Sequence, residues 1–157
     1  MGRKLAAGDK APDFKLLDDS GASRSLKSFA GRKLVLYFYP KDDTSGCTKE
    51  AIDFNALKAA FEKDGTAIVG VSPDTVASHA KFKTKHKLDI ALISDESISM
   101  LEAYGVWVEK SMYGRKFMGV ERTTLLISAD GTIKQVWTKV KVAGHAAAVL
   151  AATEALP

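Results

Sequence analysis

Along the chain, the clearest hydrophobic pattern is a continuous apolar and aromatic run, Lys33-Leu-Val-Leu-Tyr-Phe-Tyr39, stopped by Pro40. A run without polar interruption reads as a strand buried on both faces, because a half-exposed strand would alternate. A polar loop, Lys41 to Gly46, follows it. From Cys47 onward Ile52, Phe54, Leu57 and Phe61 recur at helical spacing and Asp64-Gly65 supplies a stop, which predicts a helix beginning at Cys47. On this pattern Ile52 helps anchor the helix to the sheet. Ala67-Ile-Val-Gly-Val-Ser72 reads as a second buried strand, and Asp74 or Thr75 can cap a helix running to about His86. Strand, helix and strand in succession imply a parallel pair.

Beyond this unit the signals weaken. Leu92-Ile93 reads as a weak strand and Ser97 to Tyr104 as a short helix. Gly105 to Gly119 reads as a long connection rich in glycine, methionine and aromatic residues, a kind that is often functional. Thr123 to Ser128 and Thr132 to Thr138 are strand-like, with Ala129-Asp-Gly131 between them as a hairpin signal, and Ala143 to Leu156 closes as an Ala-rich helix. No linker, repeat or low-complexity tract divides residues 1–157, so a single α/β domain is expected.

Composition narrows the function classes. A chain of 157 residues, 46% hydrophobic and 27% charged, has an ordinary globular composition and needs no metal or disulfide to hold a core. No stretch is apolar for 18 residues, so no membrane span is expected. The segment Met1 to Phe14 offers only Leu5-Ala6-Ala7 where a secretory leader needs a longer apolar run, which makes the cytoplasm the expected location. The net charge is +4, but both signs are interspersed. The densest basic stretch, Lys81 to Lys87, reads as a solvated helix face, so no nucleic-acid partner is expected. The single cysteine cannot form an internal disulfide, and with His79, His86 and His145 scattered it does not make a zinc site. All three histidines read as solvated surface residues. Tyr37, Tyr39, Trp107, Tyr113 and Phe117 read as packing rather than as pocket walls.

Chemistry concentrates in Pro40-Lys-Asp-Asp-Thr44-Ser-Gly-Cys47-Thr-Lys-Glu50, which places the lone thiol at a helix start directly after a buried strand. Unpaired backbone N–H groups and the helix dipole favour a thiolate there. Thr44 can present its hydroxyl beside the sulfur and donate to a thiolate or a bound oxygen. Pro40 ends the strand and its ring can cover the sulfur from bulk water. Gly46 allows close approach of the backbone to a small ligand. The bland alternative, a cysteine buried as a small hydrophobe, fits poorly with so many polar neighbours.

The pattern Pro40-x-x-x-Thr44-x-x-Cys47 resembles the peroxiredoxin active-site signature. The wider run from Tyr37 to Phe54 is similar to the peroxiredoxin Q branch, also called bacterioferritin comigratory proteins. Lys110 to Thr124, Lys10 to Phe14 and Gly70 to Asp74 match further blocks of that branch, in order. The resemblance implies a thioredoxin-like fold with a central mixed sheet flanked by helices. It implies reduction of hydrogen peroxide and organic hydroperoxides in antioxidant defence, in a monomer, with no metal and no organic cofactor. It makes Cys47 the peroxidatic cysteine, Thr44 and Pro40 its supporting residues, and Arg122 the arginine that contacts thiolate and peroxide. Glu50 is expected to orient Arg122, or else to serve the helix dipole as a first-turn carboxylate. Many members of the branch resolve their oxidised thiol with a cysteine five residues on, where this chain has Ile52; others carry it on the next helix, where this chain has Thr84. Recycling by an external thiol, from thioredoxin, glutaredoxin or a small molecule, is therefore expected. The alternatives are a peroxide sensor that passes a mixed disulfide to a client protein, and a binding module that functions without the sulfur.

Overall fold

The structure is a computed structural model that describes residues 4–156; the start of the chain read above for targeting, Met1 to Arg3, lies outside them. It opens with a hairpin, β1 (Lys15–Asp18) and β2 (Ser23–Ser25), and a 3-10 turn (Leu26–Phe29), none of which the hydrophobic pattern signalled. The expected strand-helix-strand unit follows as β3 (Lys33–Phe38), α1 (Ser45–Ala56), α2 (Lys58–Lys63) and β4 (Thr66–Ser72). Then come α3 (Val76–His86), β5 (Ala91–Ser94), α4 (Ser99–Ala103), β6 (Trp107–Met112) and β7 (Arg115–Val120). The chain closes with β8 (Thr123–Ile127), β9 (Ile133–Trp137) and α5 (His145–Ala155).

Seven strands form one mixed sheet in the order β2-β1-β5-β4-β3-β8-β9. The buried run lies at its centre, with β3 parallel to β4 in register Tyr37↔Gly70 and antiparallel to β8 in register Tyr37↔Thr124. Because strand side chains alternate, β3 serves two interiors. Leu34, Leu36 and Phe38 pack with Met100 and Leu101 of α4 and with Phe14 and Phe29. Val35, Tyr37 and Tyr39 pack with Cys47, Ala51 and Phe54 of α1, Phe61 of α2, Phe82 of α3 and Val149 of α5. Gly70 is required here, since a Cβ at that position would sit 2.7 Å from the Tyr37 ring.

Four expectations need correction. The region from Gly105 to Gly119 is no irregular connection: β6 and β7 pair antiparallel from Trp107↔Val120 to Met112↔Arg115 as a separate two-stranded sheet. Its turn, Tyr113-Gly114, has both φ angles positive (53° and 77°), the geometry of a type I′ hairpin turn. The strand pattern was faint because most of the hairpin is exposed on both faces. The helix expected to continue to Phe61 breaks at Leu57 into α1 and α2. It also starts two residues before Cys47, with Thr44 as N-cap. Finally, Ile52 is 44% exposed and does not anchor α1. The buried stripe is Cys47, Glu50, Ala51 and Phe54, and residue 52 lies about 140° around the helix from residue 47.

Candidate active site

The end of β3, the loop to α1 and the segment before β8 meet at the sulfur. Cys47 stands in the first turn of α1 and is 1% exposed, packed with Tyr37, Tyr39, Ala51 and Phe54. Arg122 reaches it from just ahead of β8, where the antiparallel pairing Phe38↔Thr123 brings that segment alongside the end of β3. Its Nη2 donates to Cys47 Sγ at 3.2 Å and its Nη1 to Glu50 Oε1 at 2.5 Å. One forked guanidinium is thus shared between a sulfur and a carboxylate, a geometry Lys could not reproduce. Gly46 makes room for it, since a Cβ there would lie 3.3 Å from Nη2.

Glu50 is 1% exposed and sits in the second turn of α1, so the reading of it as a first-turn carboxylate fails. Its Oε2 has no hydrogen-bond partner among the described residues, nor has the buried hydroxyl of Tyr37. Burial pushes the Glu50 carboxyl up to about 7 against the opposing pull of the Arg122 guanidinium. Burial disfavours the Arg122 cation, yet Glu50 and Cys47 together raise its pKa above the ordinary arginine value. The cluster can hold positive charge against the sulfur in a poorly solvated place, and so favours a thiolate aimed at a small electrophile.

The other expected residues stand nearby in less direct roles. Pro40 is half-buried. Thr44 is exposed, and its hydroxyl donates to the Lys41 carbonyl at 2.9 Å rather than to the sulfur, so in this state it can only accept from an incoming hydroxyl. Tyr37 and Tyr39 form a stacked row with Phe54 behind the thiol, at 5.5 Å for Tyr37–Tyr39 and 4.8 Å for Tyr37–Phe54. Trp107 packs in the opposite interior, while Tyr113 and Phe117 are exposed on the hairpin.

The histidines depart most from expectation. His79 is fully buried, with Nδ1 at 2.7 Å from Asp42 Oδ2 and Nε2 at 2.9 Å from the Ile93 carbonyl. His145 is buried against Thr124, its Nε2 2.8 Å from the hydroxyl, and burial lowers its pKa, aided by Arg122. Only His86 lies toward the surface, where it meets Asp43. Tertiary packing hid these partners from the sequence, since Asp42 and His79 are 37 residues apart. Lys110 was passed over as well. Its side chain crosses Gly119, and burial lowers its pKa, with Arg122 adding to the effect and Cys47 opposing it.

Residues 7–136 match the AhpC/TSA family model. Over 143 residues the chain is 49% identical to peroxiredoxin Bcp of Xanthomonas campestris pv. campestris, covering 91% of this chain and 89% of that protein. It superposes on a cysteine-to-serine mutant of PrxQ from Xylella fastidiosa with a TM-score of 0.93 at 36% identity, covering 98% of each chain. The bacterioferritin comigratory protein of Xanthomonas campestris, described for its alkyl peroxide reduction activity, matches at TM-score 0.88 and 44% identity, covering 99% of this chain and 98% of that one.

Proposed function

From the premise that this chain belongs to the AhpC/TSA family, as a thiol-dependent peroxidase of thioredoxin-like fold, we propose that Cys47 is the residue that attacks the peroxide. The observation that carries this reading is the Arg122 guanidinium, bonded at once to Cys47 Sγ and Glu50.

In the proposed cycle the Cys47 thiolate attacks one peroxide oxygen and the O–O bond breaks. The sulfur becomes a sulfenic acid, and the departing oxygen takes a proton to leave as water or an alcohol. Arg122 holds the thiolate and aligns the two oxygens, Glu50 fixes Arg122, and Thr44 accepts from the peroxide hydroxyl. Pro40 and Gly46 shape the loop that admits the substrate. Hydrogen peroxide and organic hydroperoxides are the substrates. With Cys47 the only cysteine of the sequence, an external thiol condenses with the sulfenic acid, releasing water. A second thiol then displaces Cys47 and carries away the disulfide. The donor is a thioredoxin, a glutaredoxin or a small thiol, and the enzyme works as a cytoplasmic monomer. Among the described residues no helix is long and apolar enough to cross a membrane.

Cys47→Ser keeps nearly the same shape but is not ionised at neutral pH. It is expected to abolish peroxide consumption in a steady-state assay with a thiol donor while leaving the circular dichroism spectrum unchanged. Retention of more than a trace of activity would sink the assignment.

A further inference from the structure

Behind the thiol pocket lies a buried polar cluster that the cycle above does not use. Asp42, in the loop between β3 and α1, is 7% exposed. Its Oδ1 accepts from the Tyr39 hydroxyl at 2.6 Å, and its Oδ2 faces His79 Nδ1 at 2.7 Å and accepts from the Ser78 hydroxyl at 2.8 Å. Its backbone N–H donates to Asp74 Oδ2 at 2.8 Å, and Asp74 in turn receives the Ser72 hydroxyl at 2.6 Å. The second nitrogen of His79 faces the Ile93 carbonyl. The peptide carbonyl can only accept, so His79 Nε2 carries a hydrogen toward Ile93, and a second hydrogen joins Nδ1 to Asp42 Oδ2 in a buried, hydrogen-bonded pair.

A buried pair of this kind adds little net stability over an apolar pair of the same size, so its place in the fold is the more informative fact. It ties α3 to the residue five positions before Cys47. A second tie lies outside it, where Lys85 and His86 of α3 meet Asp43 at 2.7 Å and 2.9 Å. Asp43 has φ of 62°, in the left-handed region that Asp enters more readily than most non-glycine residues, and its two α3 partners hold it there. The next residue, Thr44, is the N-cap of α1. Helix α3 thus grips two consecutive loop residues from inside and outside, and the backbone they fix leads straight into the turn that carries the thiol.

We propose that His79 is a positioning residue for the thiol pocket, acting through Asp42 to clamp the loop that places Thr44 and Cys47 against Arg122. The proposal rests on the reading of Cys47 as the attacking thiol. It assigns α3 a part in the reaction although the hydrogen bond to the sulfur comes from Arg122.

The test follows the oxidation of Cys47 by hydrogen peroxide with rapid mixing, beside the rate of its alkylation by iodoacetamide across pH. His79→Gln is expected to fold and to slow oxidation about tenfold, as small misplacements of reacting groups do, and to change the alkylation profile. Leu88→Ala, in the same apolar cluster just past α3, should lower stability without slowing oxidation. Asp42→Asn combined with His79→Gln should be no slower than the slower single variant, because both act through one contact. The clamp is overturned if folded His79→Gln reacts at the wild-type rate, if Leu88→Ala slows the reaction equally, or if the two substitutions multiply. Should His79→Gln fail to fold, Ser78→Ala decides, with about threefold slowing expected and an unchanged rate overturning the idea. A wild-type Cys47 inert to peroxide would instead defeat the parent reading, and the alkylation profiles would still report whether the clamp shapes the pocket.

Discussion

Alternate residues of β3 enter two unlike interiors. On one side Leu34, Leu36 and Phe38 meet α4 and the N-terminal segment. The Tyr104 hydroxyl there is satisfied by the Pro12 carbonyl at 2.6 Å. On the other side Val35, Tyr37 and Tyr39 meet α1, α2, α3 and α5. That side also holds the Asp42–His79 pair and two buried polar atoms, Tyr37 Oη and Glu50 Oε2, that find no partner among the described residues. Each such atom costs about 1–3 kcal/mol. The first face is built as a core would be for stability alone. The second gives up stability to keep charge and hydroxyl groups around a sulfur, so damage to the two faces should separate folding from chemistry.

The largest effect on folding is expected from Leu36→Ala, which removes a fully buried side chain on the apolar face. Denaturant unfolding should show a loss of about 2–5 kcal/mol, while peroxide turnover per folded molecule stays near wild type. A comparable loss of turnover per folded molecule would mean that the two faces are not independent. The opposite signature is expected from Arg122→Met. Stopped-flow oxidation of Cys47 should slow by about 10²-fold, the scale seen when a preorganised donor is removed, and alkylation of the thiol at neutral pH should slow with it. An unchanged oxidation rate would reduce Arg122 to an ion pair with Glu50 and erase the distinction between the faces.

The two faces were not equally legible in the sequence. The central strand, its following helix and the thiol between them were legible because an unbroken apolar run and a polar turn are local signals. Arg122 entered only through resemblance, for nothing local marks an arginine 75 residues from the sulfur it touches. His79 and His145 were misplaced at the surface for the same reason: a polar residue buried by a distant partner looks, in sequence, like a solvated one. The hairpin of β6 and β7 was lost to a different cause. Alternation reports burial of one face, and this ribbon buries little of either beyond its base at Trp107 and Val120.

A pH experiment sharpens the comparison through Glu50. Its carboxyl has a pKa raised from 4.5 to about 7 by burial, so the fold binds this proton more tightly than the unfolded chain does. Between those two values the unfolded state has released the proton and the native state has not, and stability falls as pH rises through the window. Glu50→Gln has no proton to lose. It should shrink the difference between unfolding free energies measured near about pH 5 and about pH 8. A difference as large as in the wild type would place the titration elsewhere.

The smallest effect is expected at Ile52, and it bears on how the chemical face is bounded. The helical pattern alone assigns Ile52 to the packed side of α1, and on that reading Ile52→Ser would open a cavity and cost several kcal/mol. The stripe that is actually buried runs through Cys47, Glu50, Ala51 and Phe54, and Ile52 is 44% exposed beside it. With 44% of its surface still in water, Ile52→Ser should cost about 1 kcal/mol, roughly half the value of a fully buried side chain and well short of a core deletion. Peroxide oxidation of Cys47 should be unaffected too, since residue 52 points about 140° away from residue 47. The same angle separates the position from the sulfur chemically. The Cα atoms of residues five apart on an intact helix lie beyond the roughly 7 Å that a disulfide tolerates. A cysteine introduced as Ile52→Cys could therefore bond Cys47 only if the first turns of α1 unwound. Intact-mass measurement after one equivalent of peroxide would show this as loss of two protons in a monomer. Without such unwinding, the oxidised variant should keep the sulfenic acid on Cys47 until an external thiol arrives, as the native chain is expected to do.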